Sequence, residues 1–168
     1  MSKTSFRAAA TALAGILIAI GGCAESPSSP SAPLQVVHRS SSVRFDVSGG
    51  GSSAVIDARG GSITTPAGQT LTFPAGALAS PTQITVTDDP EVVGVEIQPH
   101  GLVFPAGRQP VLTLDPRGAD VSGLNRTAVV YLNDATGQIE QVLTTSDLGG
   151  NRIRATLPHF SKYAYAGS

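Results

Sequence analysis

Residues 82–87 read TQITVT, a stretch in which polar and apolar side chains alternate. The alternation places Ile84 and Val86 on one side of the chain and polar side chains on the other. A period of two is that of a β-strand with one buried face, whereas an amphipathic helix repeats its apolar residues every three or four positions. The same alternation returns in residues 152–157, RIRATL, so both stretches predict half-buried strands.

Short segments of this kind lie on both sides of these two stretches. We predict strands at residues 43–47, 54–58, 70–73, 82–87, 92–98, 110–115, 128–133, 138–143, 152–157 and 163–165. Turn-forming sequences separate several of them: GGGSS at 49–53, DATGQ at 134–138 and SDLGGN at 146–151. Many short strands with frequent turns predict an all-β fold, an antiparallel β-sandwich.

The tetrapeptide FPAG occurs twice, at residues 73–76 and 104–107, each time ahead of a predicted strand. We expect Phe73 and Phe104 to point into the core, while the proline and glycine end a strand and turn the chain. Two copies are too few for a repeat protein.

A family resemblance extends outward from these motifs. Residues 60–87, GGSITTPAGQTLTFPAGALASPTQITVT, and residues 99–116, PHGLVFPAGRQPVLTLDP, together resemble the ZU-five domain of zona occludens protein, netrin receptors, ankyrins and many bacterial envelope proteins. The matching positions are Gly60, Gly61, Pro66, Gly68, Phe73, Pro74, Gly76, Ala77, Leu78, Gly101, Phe104, Pro110, Val111, Leu112 and Leu114. Looser similarity continues to about residue 165.

The resemblance implies a β-sandwich interaction module and no enzyme class. Eukaryotic members bind cytoskeletal or signalling partners, which a bacterial envelope lacks. Because one fold carries many functions, no partner or binding surface is transferred to this chain.

The N-terminus has the layout of a secretory signal peptide. A basic segment containing Lys3 and Arg7 precedes an uncharged, largely apolar run at residues 8–20, and two glycines follow before Cys23. The apolar run is shorter than the roughly 20 residues that a membrane-spanning helix needs. We therefore prefer a cleaved leader at residues 1–22 to a transmembrane or core helix.

Cys23 ends the sequence IGGC, which resembles the lipobox of bacterial lipoproteins. The resemblance implies cleavage before Cys23, transfer of diacylglycerol to its thiol and acylation of the new amine, with palmitate as the expected chain. Several acyl chains anchor a protein far more firmly than one. As the single cysteine, Cys23 cannot form an intrachain disulfide. Ala24 stands where Asp commonly marks inner-membrane retention, which favours the outer membrane of a Gram-negative envelope.

Residues 25–33, ESPSSPSAP, are rich in proline and serine and predict a disordered tether. The predicted organisation is a leader at residues 1–22, a lipidated cysteine and tether at 23–35, and one sandwich domain at 36–168. The chain carries 11 basic and 12 acidic residues without a basic stripe, so nucleic acid is not an expected partner. The expected partners are the membrane, through the lipid, and an envelope protein.

The sequence LPHFSKYAY near the C-terminus contains His159, Phe160 and Ser161. Some relatives of the ZU-five family cut themselves at His-Phe-Ser. By that resemblance Ser161 would attack the preceding carbonyl, His159 would assist and Phe160 would anchor a strained bond. The alternative is structural, with Phe160 in the core and Ser161 satisfying backbone groups. We prefer the structural interpretation, so no catalytic residue is predicted.

Metal and cofactor sites are not expected. Asp88, Asp89 and Glu91 form an acidic turn that lacks the alternating ligands of a calcium loop, and we expect it to be solvated. His38, His100 and His159 lack zinc-ligand spacing. The chain also lacks the common motifs of hydrolases, metalloproteases and nucleotide-binding proteins.

These observations favour a non-catalytic envelope lipoprotein whose sandwich acts as a structural or interaction module. One alternative is a self-cleaving domain that acts at Phe160-Ser161. A second alternative is a carbohydrate-binding module, which ranks third because sugar-binding faces usually carry stacking aromatics. The chain contains no Trp, and its tyrosines are Tyr131, Tyr163 and Tyr165.

Overall fold

The computed structural model describes residues 32–40 and 51–168, and Ala32–Ser168 form one compact unit. The leader, Cys23, most of the tether and the strand predicted at residues 43–47 lie outside the described residues.

The described residues form twelve β-strands and contain no helix. The strands are β1 (Gln35–Val36), β2 (Gly51–Ile56), β3 (Gly61–Thr64), β4 (Thr70–Phe73), β5 (Thr82–Asp88), β6 (Gly94–Gln98), β7 (Val111–Leu114), β8 (Thr127–Leu132), β9 (Ile139–Val142), β10 (Thr145–Asp147), β11 (Ile153–Thr156) and β12 (Lys162–Gly167).

The strands are arranged in two antiparallel sheets. The larger has the order β2-β5-β6-β12-β8-β9, with β1 also paired to β12, and the smaller has the order β10-β11-β7-β4-β3. All strand pairs are antiparallel. The predicted all-β class and sandwich architecture are confirmed.

The core lies between the apolar faces of the two sheets. In β5, Ile84 and Val86 are buried while Gln83 and Thr87 are exposed, so the period of two in TQITVT has the predicted consequence. The opposite sheet contributes Ile153 and other alternating residues of RIRATL to the same apolar cluster. Burial of these faces is the dominant favourable contribution to folding.

Three phenylalanines form an aromatic cluster in this core. The ring centroid of Phe160 lies 5.0 Å from that of Phe104 and 5.9 Å from that of Phe73, and the Phe73 and Phe104 centroids are 6.5 Å apart. All three are buried, which confirms the core positions expected for both FPAG phenylalanines. Tilted and edge-to-face pairs of this kind add to the energy of area burial.

The two ends of the sandwich are defined by the two ends of β12. At the entry end, Gln35 of β1 pairs with Gly167 at the end of β12. At the other end, Lys162 at the start of β12 pairs with Leu132 at the end of β8. We call this second end, with the loops at residues 99–110, 133–138 and 157–161, the corner end.

Sequence and structure differ at a few elements. The predicted strands in the described residues all overlap observed ones, and β4 has its predicted bounds. The prediction missed β1, β3 and β10, which are short and contribute few apolar side chains. The turn predicted at residues 49–53 is wrong for Gly51 and the two serines after it, because these residues begin β2 and pair with β5.

We predict that Phe73→Ala lowers the free energy of unfolding by about 3–5 kcal/mol, because it removes a buried ring and leaves a cavity beside two others. Val103→Ala is the control, since the Val103 side chain is 74% exposed, and its effect should be within about 0.5 kcal/mol. Urea unfolding measures both. A loss below about 1 kcal/mol for Phe73→Ala would show that the cluster is not a core element.

Candidate functional site

His159, Phe160 and Ser161 lie in the connection that takes the chain from β11 in the smaller sheet to β12 in the larger sheet. Phe160 is 1% exposed and belongs to the aromatic cluster, as the structural interpretation of the sequence expected. Ser161 is also buried, at 4% exposure. The sequence therefore places a buried hydroxyl directly after a tightly packed aromatic residue.

The hydroxyl of Ser161 has a carboxylate partner that the sequence did not reveal. Its Oγ donates to Oδ1 and Oδ2 of Asp134 at 3.3 and 3.4 Å. Asp134 belongs to the β8–β9 turn, and its Oδ2 lies 3.6 Å from Nδ1 of His100. The other ring nitrogen of His100 lies 3.3 Å from Oε1 of Glu96. Ser161, Asp134, His100 and Glu96 thus form a continuous polar chain at the corner end.

The carbonyl of Phe160 also has defined partners. Its oxygen accepts a hydrogen bond of 3.1 Å from the backbone N–H of Gly101. Nδ1 of His159 lies 3.4 Å from the same oxygen. The amide of Phe160 donates to the carbonyl of Leu102, and the carbonyl of Ser161 accepts from the amide of Ile97. Backbone contacts therefore hold the Phe160-Ser161 peptide bond on both sides.

The His159 ring faces the Phe160 carbonyl and Tyr163, and among the described residues it forms no hydrogen bond with the Ser161 hydroxyl. The Tyr163 hydroxyl donates to the carbonyl oxygen of His159 at 2.8 Å. Burial, with a smaller contribution from Tyr131, raises the pKa of Tyr163, so its hydroxyl stays a neutral donor at physiological pH. This hydrogen bond orients His159, the residue before Phe160 in the sequence.

The arrangement contains several parts of an acyl-transfer site. Ser161 supplies a nucleophile, Asp134 a proton acceptor, and the Gly101 N–H a donor to the carbonyl under attack. Self-cleavage also needs a strained peptide, and neither Phe160 nor Ser161 lies in the left-handed region, where Asn151, with φ of 62°, is the only non-glycine residue among those described.

The acidic turn differs from its prediction. Asp88 is 3% exposed, so the expectation of a solvated turn is wrong for this residue. Its carboxylate accepts hydrogen bonds from the Thr65 hydroxyl at 2.6 Å and from the Ala67 amide at 2.9 Å. Because β5 lies in the larger sheet and Thr65 follows β3 in the smaller one, Asp88 connects the sheets at the entry end.

Asp89, the next residue, is a structural carboxylate as well. It forms an ion pair of 2.7 Å with Lys162 and accepts from the amides of Glu91 and Val92. Burial opposes its charged form, but the hydrogen bonds from Lys162 and the two amides outweigh burial and lower the pKa of Asp89. Lys162 responds reciprocally, since its hydrogen bond to Asp89 raises its pKa.

The remaining site candidates are scattered. His38 lies on the entry side, in a bridge with Val92, whereas His100 and His159 lie at the corner end. Within residues 32–40 and 51–168, no group of three His, Cys, Asp or Glu side chains is arranged to hold a metal ion. Tyr163 and Tyr165 are fully buried, so neither ring is placed to stack on a sugar.

Comparison with known proteins adds no relative. No family model matches the chain, and no curated protein is significantly similar to it. Among the described residues there is no helix long and apolar enough to cross a membrane.

We predict that Asp89→Asn lowers the free energy of unfolding at neutral pH by about 1.5–3 kcal/mol, because it weakens hydrogen bonds made by a charged group. Since folding lowers the pKa of Asp89, the stabilisation is present above the unfolded-state pKa near 4 and is lost as the pH falls through the folded-state value. The variant should therefore lose less stability than the wild type on acidification.

Glu91→Gln is the matched control, because it removes one negative charge from the same turn at an exposed side chain. Urea unfolding at pH 7 and at pH 3 compares the three proteins. Equal stability losses for Asp89→Asn and Glu91→Gln would contradict a specific role for the Asp89 contacts.

Proposed function

We propose that this protein is a lipid-anchored component of a bacterial cell envelope whose β-sandwich serves as a non-catalytic interaction or structural module. The outer membrane is the proposed location in a Gram-negative envelope. The observation that carries the proposal is a compact sandwich that is preceded in the sequence by a basic and apolar segment, the IGGC sequence and a proline- and serine-rich stretch. The resemblance to ZU-five domains supports the same class of function.

The course of the chain supports this organisation. Gln35, the last residue of the predicted tether, already belongs to β1, so the tether leads directly into the larger sheet. The loops of the corner end lie at the opposite end of β12 from this entry point. Such a module would contact other envelope components through its loops or the sides of the sandwich.

The anchor is tested by Cys23→Ser in the full-length protein. We expect an uncleaved precursor that no longer partitions into the detergent phase, because serine supplies no thiol for diacylglycerol. Ser28→Ala, a change in the tether, is the control and should mature and partition normally. A Cys23→Ser protein that is processed and partitions like the wild type would contradict the anchor.

A second candidate function is self-cleavage between Phe160 and Ser161, and one arrangement favours it. Ser161 Oγ reaches the Asp134 carboxylate while the Phe160 carbonyl accepts from Gly101. In this reaction Oγ bonds to the Phe160 carbonyl carbon and the peptide C–N bond breaks. The Oγ proton passes by way of Asp134 to the freed amine, and water then hydrolyses the ester.

We rank this candidate second for two physical reasons. The contacts from Ser161 to Asp134 are long for hydroxyl hydrogen bonds, at 3.3 and 3.4 Å. The residues on either side of the bond are also held by backbone hydrogen bonds, from the Phe160 amide to the Leu102 carbonyl and from the Ile97 amide to the Ser161 carbonyl. These contacts restrain the movement of Phe160 and Ser161 that cleavage would require.

We therefore predict that the mature protein keeps its C-terminal residues, as shown by intact-mass spectrometry under denaturing conditions. Denaturation is essential, because β12 pairs with β1, β6 and β8 and would remain bound after a cut. Ser161→Ala should change the mass only by the substitution. A wild-type mass lacking residues 161–168, restored to full length in Ser161→Ala, would contradict the prediction and establish self-cleavage.

A further inference from the structure

A groove of about 630 Å³ opens on the side of the sandwich where the chain passes from β9 in the larger sheet to β10 in the smaller sheet. Its polar side chains are those of Gln141, Thr144, Ser146, Arg154 and Thr156. Val142 adds an apolar side chain that is 45% exposed. This volume falls within the range of about 300–1,000 Å³ that is usual for ligand-binding clefts.

Two strand edges border the groove. β9 is the last strand of the larger sheet, so within the described residues one of its edges has no strand partner. The ladder between β10 and β11 ends at Thr145 and Ala155. Thr156, one residue further, pairs only with Val111 of β7 on its other side. Free N–H and C=O groups at a sheet edge are a template for an added strand.

The described lining of the groove carries one positive charge. Among the described residues that line it, Arg154 is the only charged one, and none is a carboxylate. The ion pairs found among the described residues do not involve Arg154, whose side chain is exposed on β11. A guanidinium in this position is suited to a carboxylate, with which it can form two parallel hydrogen bonds.

We propose that the groove binds an extended peptide segment of a partner protein that carries an acidic side chain, an inference that rests on the proposed interaction function. Main-chain groups of the segment pair with the free edge at Thr156 or along β9. Its carboxylate bonds to Arg154, and an aliphatic side chain packs on Val142. The described lining residues include no aromatic side chain on which a sugar ring could stack, so their chemistry favours a peptide over a sugar.

The probe is a series of labelled hexapeptides of alternating valine and threonine, each with one glutamate at a different position. Fluorescence polarisation with the mature, detergent-solubilised protein measures their affinities. We expect the best glutamate peptide to bind about tenfold more tightly than its lysine counterpart, the size of one charge-assisted hydrogen bond. N-methylation of the best peptide along one edge should weaken its binding at least tenfold, because strand pairing needs its N–H groups.

Arg154→Gln should lower the affinity for the best peptide about tenfold. Arg152→Gln is the control, because it removes the same charge from the exposed β10–β11 turn outside the groove, and it should leave the affinity unchanged. Circular dichroism confirms that both variants are folded. Any of three results would overturn the proposal. The glutamate and lysine peptides could bind equally, the whole series could fail to bind at millimolar concentration, or the two arginine changes could have equal effects.

Self-association of the protein through the groove would also overturn the peptide proposal. It would be seen as a dimer that Val142→Lys converts to a monomer. The anchor is judged separately from the partitioning of Cys23→Ser. Absent peptide binding together with partitioning that depends on Cys23 therefore refutes the groove alone. Retained peptide binding together with partitioning that does not depend on Cys23 refutes the lipid anchor alone.

Discussion

The packing of Phe160 against Phe73 and Phe104 is the contact on which the rest of the structure depends. Phe160 lies where the chain crosses from the smaller sheet to the larger one, and each FPAG motif brings one phenylalanine to it. β12 starts two residues later and pairs with β1, β6 and β8. A shift of Phe160 would therefore disturb the central strand of the larger sheet as well as the core.

The same packing fixes Phe160, the residue that precedes the Ser161 hydroxyl. Phe160 fixes the peptide bond, the amides of Gly101 and Ile97 bond to the carbonyls on either side of it, and Asp134 accepts from the Ser161 hydroxyl. Self-cleavage at this bond would require strain, whereas the packing of Phe160 and the Ile97 contact restrain the residues on either side of it. The corner is thus understood first as a structural junction.

Local pattern predicted the elements that bury many apolar side chains and missed those defined by their partners. The alternation around Ile84 and Ile153 was sufficient to place β5 and β11. β10, whose sequence is TSD, buries no apolar residue and exists because it pairs with β11. Likewise Asp134 and Ser161 are distant in sequence, so only the folded chain reveals that they meet. The burial of Asp88 depends on Thr65 and Ala67 in the same way.

Native-state hydrogen exchange at the amides of Gly101 and Ile97 tests the central claim most directly, because these N–H groups donate to the carbonyls of Phe160 and Ser161. If the corner is the junction on which the sandwich depends, both amides exchange only through global unfolding, with opening free energies equal to the free energy of unfolding from urea denaturation. Opening free energies several kcal/mol below the global value would show that the corner opens locally and would contradict this account.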